Sequence, residues 1–399
     1  MLRLAWCSPF PPERSGIADY SVELVEAISE FADVTLFVND PAVFDVPSLN
    51  HLKRYPIESV GERRFEFDFP IYQIGNHILH QKIYDQAIKV PGIVVLHEFW
   101  LNGFMTQKTV GQQRSAAYFR EVVYESFPAD FNKNFDHIYP GINQIQDHLC
   151  FNQRLVDGAL GVMVHSQFVA DLIAANNVTP SDLKINPKTN IKVIRQLGRP
   201  QAQIAPWPAS TFKTIFACAG QITPEKQIDK VLDALQQLVA RGVQAELRLI
   251  GEAVAGVPVQ QWINERQLNE VVIQTGYIES IEVFEQHLSQ AHVLINLRQP
   301  TVGETSAVVI RSMGAGRPVI VYDHGWYGEL PDCCIKIQPG SADALASAMQ
   351  MAAADHDQLK TLGEACHAEI QAHHHPQVVA HEMIEWLENI VEQLLAASN

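Results

Sequence analysis

The chain lacks the long apolar segments of a membrane protein. Its longest apolar runs, such as Val94–Leu96 and Val293–Leu297, have only the length of strands, whereas a transmembrane helix needs about 20 consecutive apolar residues. The segment that begins at Met1 also lacks the apolar region and the small-residue cleavage site of a signal peptide. We therefore expect a cytoplasmic protein without a transmembrane segment. Weak peripheral contact with a membrane stays open, although no basic amphipathic segment supports it.

Positive charge is also scarce. The 399 residues include 29 Lys and Arg against 45 Asp and Glu, which gives a formal net charge of −16. Nucleic-acid binding depends on clustered cations that neutralise phosphates, so this composition excludes nucleic acid as a partner. A small phosphorylated ligand is still compatible with it, because backbone N–H groups and one or two cations can bind such a ligand locally.

Cysteine is used sparingly, and no CxxC pair occurs. Several of the six cysteines lie in apolar runs, where a reduced thiol packs as a small hydrophobic group. We interpret all six as structural residues. They are Cys7, Cys150, Cys218, Cys333, Cys334 and Cys366.

Motifs with the spacing of a catalytic metal site are missing as well. The single Asp-x-Asp sequence, Asp355 to Asp357, falls between two predicted late helices instead of after a buried strand. The histidines His373 to His375 precede Pro376, and we interpret them as a solvated helix end, with metal binding as the alternative. We therefore expect no metal and no other cofactor.

Strand-like apolar runs alternate with segments of helical period in both halves of the chain, a pattern typical of α/β proteins with parallel sheets. The predicted strands of the first half are Leu2–Cys7, Val34–Val38, Ile71–Ile74, Ile93–Leu96, Gly161–Val164 and Ile191–Ile194. Those of the second half are Thr214–Ala219, Glu246–Ile250, Val271–Thr275, Val293–Leu297, Pro318–Tyr322 and Cys334–Ile337.

The boundary between the halves follows from proline content. Residues 199–210 contain three prolines and no periodicity, which indicates an exposed linker. We predict a Rossmann-like domain over 1–198, a linker over 199–212 and a second Rossmann-like domain over 213–375. A final helix over 376–399 is expected to pack back on the first domain.

The segment 99–149 is the least regular part of the chain and is rich in aromatic residues. We place it above the carboxyl edge of the first sheet, where substrate-facing segments of such domains lie. A helical hairpin that covers an apolar edge is the alternative, because aromatic side chains most often serve burial.

Two candidate site residues stand at the ends of predicted strands in the first half. The loop 8–15 leads to Gly16 at a helix start, where free N–H groups and the helix dipole attract an anion. A purely steric role for this glycine is the alternative. His97 follows the strand Ile93–Leu96, so its imidazole emerges at the carboxyl edge, where it either binds a ligand or packs.

The second half contains two further polar loops. Gly220 permits a turn after the strand Thr214–Ala219, and Lys226 at the next helix start can reach a diphosphate unless it is simply solvated. A second loop carries Arg298 and the run 303–306, and it resembles a diphosphate cradle. An ordinary helix cap is the alternative there, because Thr305 or Ser306 would cap the helix well.

Together these motifs resemble the retaining GT-B glycosyltransferases of family 4, also called glycosyltransferase group 1. The resemblance rests on the Pro-Pro-x-x-Ser-Gly-Ile-Ala-Asp-Tyr loop that ends at Tyr20, on the spacing from Gly220 to Lys226, and on the segment 303–319. It implies two Rossmann-like parallel-sheet domains facing a central cleft. It also implies transfer of a sugar, with retention, from a nucleotide-diphosphate sugar donor to an acceptor that the residues do not identify.

The resemblance also implies roles for individual residues. Gly16 would approach the donor phosphates, His97 would lie near the transferred sugar, and Lys226 would hold the diphosphate. Glu304 is the second catalytic candidate. The other candidate donor-binding residues are Gly220, Arg298, Gly303, Thr305, Ser306 and Arg311.

The sequence departs from the family pattern at the donor site. Gln221 stands where the family commonly has arginine, while Gly303 and Arg311 occupy the positions of its two glutamates, with Glu304 displaced by one. A guanidinium cannot accept hydrogen bonds from ribose hydroxyls. We interpret the site as rebuilt, with Arg298 or Arg311 on phosphate. A non-catalytic nucleotide-sugar or glycan-binding protein and a GT-B nucleotide-sugar epimerase are the alternatives.

Overall fold

The structure of the protein is a computed structural model that describes residues 1–125, 149–176, 190–198, 203–209 and 212–397. The chain folds into two compact units. The first unit contains Met1–Arg195, Val302–Thr305 and Pro376–Asn399, and the second contains Gln196–Thr301 and Ser306–His375.

Each unit is built on a parallel sheet, of seven strands in the first unit and six in the second. The strands of the first are β1 Leu2–Cys7, β2 Ala32–Val38, β3 Arg54–Pro56, β4 Phe69–Ile74, β5 Ile93–Leu96, β6 Gly161–Val164 and β7 Ile191–Val193. Those of the second are β8 Thr214–Ala219, β9 Ala245–Ile250, β10 Val272–Gly276, β11 Val293–Asn296, β12 Val319–Tyr322 and β13 Ile335–Ile337.

Helices connect these strands. In the first unit they are α1 Gly16–Ile28, α2 Gln81–Ala87, α3 Asn102–Lys108, α4 Ser115–Glu125, α5 Gln153–Gly158 and α6 Gln167–Asn176. The next group comprises α7 Ile228–Ala240, α8 Val259–Glu265, α9 Ile281–Ser289, α10 Ala307–Gly314, α11 Gly325–Gly328, α12 Ala342–Ala354, α13 His356–His373 and finally α14 Pro376–Ala397. Among the helices of the described ranges, none combines the length and the apolar character that crossing a lipid bilayer demands.

The first sheet has the strand order β3-β2-β1-β4-β5-β6-β7. The chain therefore grows outwards from β1 in one direction, returns, and continues from the other side of β1 with β4. Strands β1 and β4 pair in parallel from Leu4 opposite Phe69 to Cys7 opposite Tyr72. Open α/β sheets bind their ligands outside the carboxyl ends of the two strands at such a reversal.

The second sheet repeats this arrangement with the order β10-β9-β8-β11-β12-β13. Its reversal lies between β8 and β11, which pair through Phe216 opposite Val293 and Ala217 opposite Leu294. The loops that follow β8 and β11 therefore leave the sheet side by side. Both predicted donor loops, 220–226 and 298–306, begin at these two strands.

Strand β8 shows why the apolar runs form central strands. All six of its residues are buried, and alternate side chains join different hydrophobic clusters. Phe216 and Cys218 pack with the helices on one face, whereas Ile215, Ala217 and Ala219 pack on the other. A parallel strand covered by helices on both faces needs a continuous apolar run, which this segment supplies.

Helix α14 lies in the first unit and contacts α1. Its side chains also cover β6, where a Cβ added to Gly161 would lie 3.0 Å from both Trp386 and Ile390. A larger residue at position 161 would therefore push α14 away from the sheet.

The described part of the segment 99–149 begins with two helices, and residues 126–148 lie outside the described residues. Phe104 of α3 and Tyr118 of α4 are buried in the core of the first unit, as is Phe99. These aromatic side chains therefore serve packing, as the alternative interpretation of this segment proposes.

Arg317 organises the second unit around a buried charge. The side chain is fully buried, and its guanidinium donates hydrogen bonds to the carbonyl oxygens of Ser289, Gly316, Ala205 and Pro206. Burial lowers the pKa of Arg317 to about 10. Part of the predicted linker is thus bound to the second unit by its own backbone.

We expect Arg317→Met to lower the free energy of unfolding by about 3 kcal/mol, because several buried carbonyl groups lose a charged donor. Chemical denaturation followed by tryptophan fluorescence measures this loss. Arg241→Met is the control, since the hydrogen bonds of Arg241 are exposed and its loss should change stability by less than about 0.5 kcal/mol. Equal stability of the two variants would contradict a structural role for Arg317.

Candidate functional site

The turn after β8 brings Gly220 and Lys226 together. Gly220 has a φ of +81°, a backbone conformation that favours glycine. The ammonium group of Lys226 donates to the carbonyl oxygen of Ala219, and a Cβ added to Gly220 would lie 2.9 Å from that nitrogen. The lysine therefore folds back over the carboxyl end of β8 instead of extending into solvent.

Arg298 supplies a second cation beside Lys226. Burial lowers the pKa of Lys226 to about 8, and the positive charge of Arg298 acts on it in the same direction. Nη1 of Arg298 lies 3.5 Å from the hydroxyl of Thr223, in the loop that leads to Lys226. The reversal point of the second sheet thus carries two neighbouring cations, on the loops after β8 and β11.

The loop after β11 is fastened to its neighbours through its backbone. Nε2 of His324 lies 2.7 Å from the carbonyl oxygen of Arg298, and the amide of Gln299 donates to the carbonyl oxygen of Glu225. Gln221, which replaces the cation expected from the family pattern, is exposed. Lys226 and Arg298 therefore lie on two loops that are hydrogen-bonded to each other.

Ser306 caps helix α10. Its hydroxyl accepts a hydrogen bond from the backbone N–H of Val309 and another, at 2.9 Å, from Nδ2 of Asn296 at the end of β11. Ser306 is therefore the helix cap that the alternative interpretation predicts, and its hydroxyl accepts a hydrogen bond from the first turn of α10.

Arg311 lies on α10 and forms an ion pair with a neighbouring helix. Its Nη1 is 2.5 Å from Oε1 of Glu285 on α9, and both side chains are largely buried. The guanidinium of Arg311 is therefore paired with a carboxylate and joins α10 to α9. This structural role is additional to the predicted role of Arg311 in donor binding.

Gly16 begins helix α1 in the first unit, immediately after the N-cap Ser15, whose hydroxyl accepts from the amide of Ile17. The glycine is exposed, and an added Cβ would meet no atom within 4 Å. The surrounding structure would therefore accept a side chain at position 16. Close approach of a ligand is a different reason for a glycine at this position.

His97 follows β5 and lies in a buried polar cluster of the first unit. Its Nε2 is 2.7 Å from Oε1 of Gln73, on the adjacent strand β4. Because Nε2 faces a carbonyl oxygen, this nitrogen donates, and Nδ1 is then the acceptor of the neutral ring. The ring centroid lies 4.8 Å from that of Tyr20 and 4.9 Å from that of His165.

Burial keeps His97 and Tyr20 of this cluster uncharged. It lowers the pKa of His97 well below the ordinary histidine value, with smaller effects from His165 and His80. Burial also raises the pKa of Tyr20, whose hydroxyl has no hydrogen-bond partner within the described residues. The cluster therefore offers neutral hydrogen-bonding groups at physiological pH.

The segment Val302–Thr305 belongs to the first unit. The amides of Phe99 and Trp100 donate to the carbonyl oxygen of Val302, and the carboxylate of Glu304 accepts from the amide of Val302 at 2.7 Å. Gly303 has a φ of +72°, and an added Cβ would lie 2.5 Å from Cβ of Phe99. Gly303 and Glu304 thus shape this loop, whatever further role they have.

A cavity of about 240 Å³ lies elsewhere in the first unit, between α2, α3 and α4. Four of its charged lining residues form ion pairs, Lys108 with Asp85 and Arg154 with Glu121. None of the predicted site residues lines it. Its position therefore does not support a role in the predicted chemistry.

Sequence reasoning missed several members of these clusters. Gln73 and Asn296 lie inside predicted strands. A polar residue within an otherwise apolar strand was the sequence feature that could have indicated a buried polar contact. The interpretation of His374 as part of a solvated helix end was wrong. This residue is buried, and its Nδ1 lies 2.5 Å from the carbonyl oxygen of Gln196.

Comparison with known proteins identifies the architecture. Residues 213–355 match the family model described as glycosyl transferases group 1. No curated protein sequence matches the chain.

Several solved structures share the fold. HepE of Anabaena, in complex with UDP and glucose, has a TM-score of 0.65 at 15% identity and covers 98% of this chain and 100% of its own. Sucrose-phosphate synthase of Thermosynechococcus elongatus has a TM-score of 0.65 at 18% identity, with 100% of both chains covered. A glycosyltransferase of Rickettsia africae reaches 0.66 at 12% identity and 98% of both chains. The protein therefore has a GT-B fold of two Rossmann-like parallel-sheet domains, and residues 213–355 of it are similar to the group 1 glycosyl transferases.

Proposed function

We propose that the protein is a retaining glycosyltransferase, which transfers a sugar from a nucleotide-diphosphate sugar to an acceptor hydroxyl. The observation that carries this proposal is the pair of cations at the reversal point of the second sheet. Lys226 and Arg298 are close enough for the charge of one to lower the pKa of the other. A diphosphate bound beside them would interact favourably with both positive charges.

A uridine diphosphate donor is the first candidate. The solved complexes of Anabaena HepE contain UDP, UDP with glucose, or UDP-glucose, and that protein shares the fold of this chain. The nucleotide would place its diphosphate beside Lys226 and Arg298. Gln221 is uncharged. Lys226 and Arg298 therefore supply the positive charge of the loops after β8 and β11, as far as the structure describes them.

The chemical role of the cations follows from the charge of the leaving group. When the bond between the sugar and the diphosphate breaks, negative charge grows on the departing phosphate oxygen. Lys226 and Arg298 stabilise that charge electrostatically, from positions that the turn at Gly220 and the loop after β11 hold in advance. We propose that the transfer needs no metal ion, because these cations serve the same purpose.

The cluster around His97 suits an uncharged sugar. His97 is neutral, accepts through Nδ1, and has its ring held by Gln73. The nearby hydroxyl of Tyr20 is buried without a partner in the described residues, and an unpaired buried hydroxyl costs about 1–3 kcal/mol. We propose that a sugar hydroxyl donates to Nδ1 of His97. In this proposal a donor phosphate oxygen takes the acceptor proton on the same face, which gives retention, while His97 positions the sugar.

We expect selective, saturable binding of one nucleotide sugar when UDP-, GDP-, ADP- and dTDP-sugars are compared by calorimetry without added metal. Binding should weaken about tenfold between pH 7 and pH 9, because a Lys226 with a pKa of about 8 is mostly protonated at the lower pH and mostly neutral at the higher. Lys226→Ala should bind at least tenfold more weakly at pH 7 and lose this pH dependence.

Lys230→Ala is the matched control for that experiment, because Lys230 lies one turn further along the chain, on helix α7. This variant should bind like the parent protein at both pH values. Absence of binding to every donor would favour the non-catalytic alternative. Release of nucleotide without an acceptor requirement, accompanied by a changed sugar configuration, would favour an epimerase.

His97→Ala should lower kcat for sugar transfer about a hundredfold at unchanged donor affinity, since it removes a group that positions the reacting sugar. The rate of transfer is measured as release of the nucleotide from the donor that binds. The acceptor for this assay is found by screening candidate hydroxyl compounds. His77→Ala, which changes an exposed histidine of the same unit, should have full activity. A His97→Ala variant that transfers sugar as fast as the parent would remove His97 from the mechanism.

Gly16→Ala should leave folding intact, because the new methyl group meets no atom within 4 Å and alanine favours a helix more than glycine does. If the donor phosphates approach the N-terminus of α1 closely, the methyl group should reduce donor affinity at least tenfold. Gly158→Ala, which also meets no atom within 4 Å, is the control. Unchanged donor affinity in Gly16→Ala would leave only the steric interpretation of this glycine.

A further inference from the structure

Three thiols converge in the second unit, although their positions in the sequence indicate only separate packing roles. Cys333 and Cys334 directly precede β13, whereas Cys366 lies 33 residues later in α13. Their sulfur atoms all lie within 4.8 Å of one another. All three residues are buried, with 8%, 5% and 0% of their surface exposed, respectively.

A fourth sulfur atom adjoins this group. The thiol of Cys334 lies 3.8 Å from the thioether sulfur of Met313 on α10. The thiol of Cys366 lies 3.6 Å from the carbonyl oxygen of Cys333, which draws α13 towards the loop before β13. The sulfur cluster, defined as Cys333, Cys334, Cys366 and Met313, thus joins two helices to the start of an edge strand.

The spacing of the thiols fits a bound ion. Thiolates at about 2.3 Å from a metal ion, as in zinc sites, are separated from each other by about 4 Å in trigonal or tetrahedral geometry. The observed limit of 4.8 Å requires only a contraction of less than about 1 Å to reach that spacing. Side-chain rotations of cysteine supply such movements without displacement of the backbone.

A disulfide fits part of the cluster less well. The Cα atoms of Cys333 and Cys334 are adjacent in the chain and lie about 3.8 Å apart across a trans peptide, whereas disulfides span about 4.4–6.8 Å. A bridge from Cys366 to either cysteine would also leave the third thiol and the thioether unused. The convergence of all four sulfur atoms therefore favours a shared ligand.

The ligand chemistry selects the class of ion. Sulfur-only sites that include a thioether suit soft ions such as Cu(I), whereas zinc sites use thiolate, imidazole and carboxylate ligands. Iron–sulfur clusters take four cysteines, and this group has three. We propose that the sulfur cluster is a binding site for one soft, thiophilic metal ion of the Cu(I) type, with three thiolates as ligands, Met313 beside them, and the thiol protons released to solvent.

The full-length, reduced protein tests this assignment by titration with Cu(I) under anaerobic conditions, in competition with a chromophoric Cu(I) chelator. We expect one ion per chain. Cys366→Ala and Cys333→Ser should each weaken Cu(I) binding at least about a hundredfold. Loss of a group that only supports a metal ligand weakens binding by up to about a hundredfold, and loss of a direct ligand should cost at least as much. Met313→Leu, which conserves side-chain volume, should have a smaller effect.

Cys7→Ala is the control, because Cys7 is as fully buried as Cys366 but lies in β1, in the other unit. It should bind Cu(I) like the parent protein. Cys333→Ser alters the most exposed of the three thiols, so it stays informative if Cys366→Ala fails to fold.

Three results would overturn the proposal. The first is a parent protein that binds no Cu(I), or one whose binding survives Cys333→Ser unchanged. The second is binding of Zn(II) without binding of Cu(I). The third is a count of four free thiols instead of six in denatured protein prepared without reductant, which would reveal a disulfide.

Discussion

The reversal of strand order between β8 and β11 places two cations side by side. The chain leaves β8 towards β9 and β10, returns to the other side of β8, and continues with β11. The loops after β8 and β11 therefore start next to each other, and the amide of Gln299 joins them by donating to the carbonyl oxygen of Glu225. Each loop carries one cation, Lys226 or Arg298. Burial lowers the pKa of Lys226, and repulsion by the positive charge of Arg298 lowers it further. In the proposed function, a bound diphosphate would reduce this repulsion.

Other buried cations of the second unit are compensated differently. Arg311 faces the carboxylate of Glu285, and Arg317 is surrounded by backbone carbonyl groups. Both therefore hold elements of the unit together. Lys226 contacts a carbonyl oxygen and lies beside another cation. Lys226 therefore differs from Arg311 and Arg317 in having a second positive charge beside it.

The first unit presents a different chemistry at its own sheet edge. His97, His165 and Tyr20 are buried against one another, and burial disfavours the charged form of His97 and of Tyr20. Neutral hydrogen-bonding groups suit the hydroxyls of a sugar better than they suit phosphate. The two units thus offer complementary chemistry, with cations in one and neutral polar groups in the other.

The sequence by itself determined the central strands and the loops that carry the candidate residues. Strands β5 and β8 have the predicted bounds, because a strand buried on both faces needs an unbroken apolar run. Strand β3 was not predicted, since its three residues include a proline and are strand only through pairing with β2. Only the tertiary structure decided which side chains meet. The contacts of Gln73 with His97, Glu285 with Arg311, and Cys366 with Cys333 join residues on different elements, and local sequence patterns carry no information about such distant pairs.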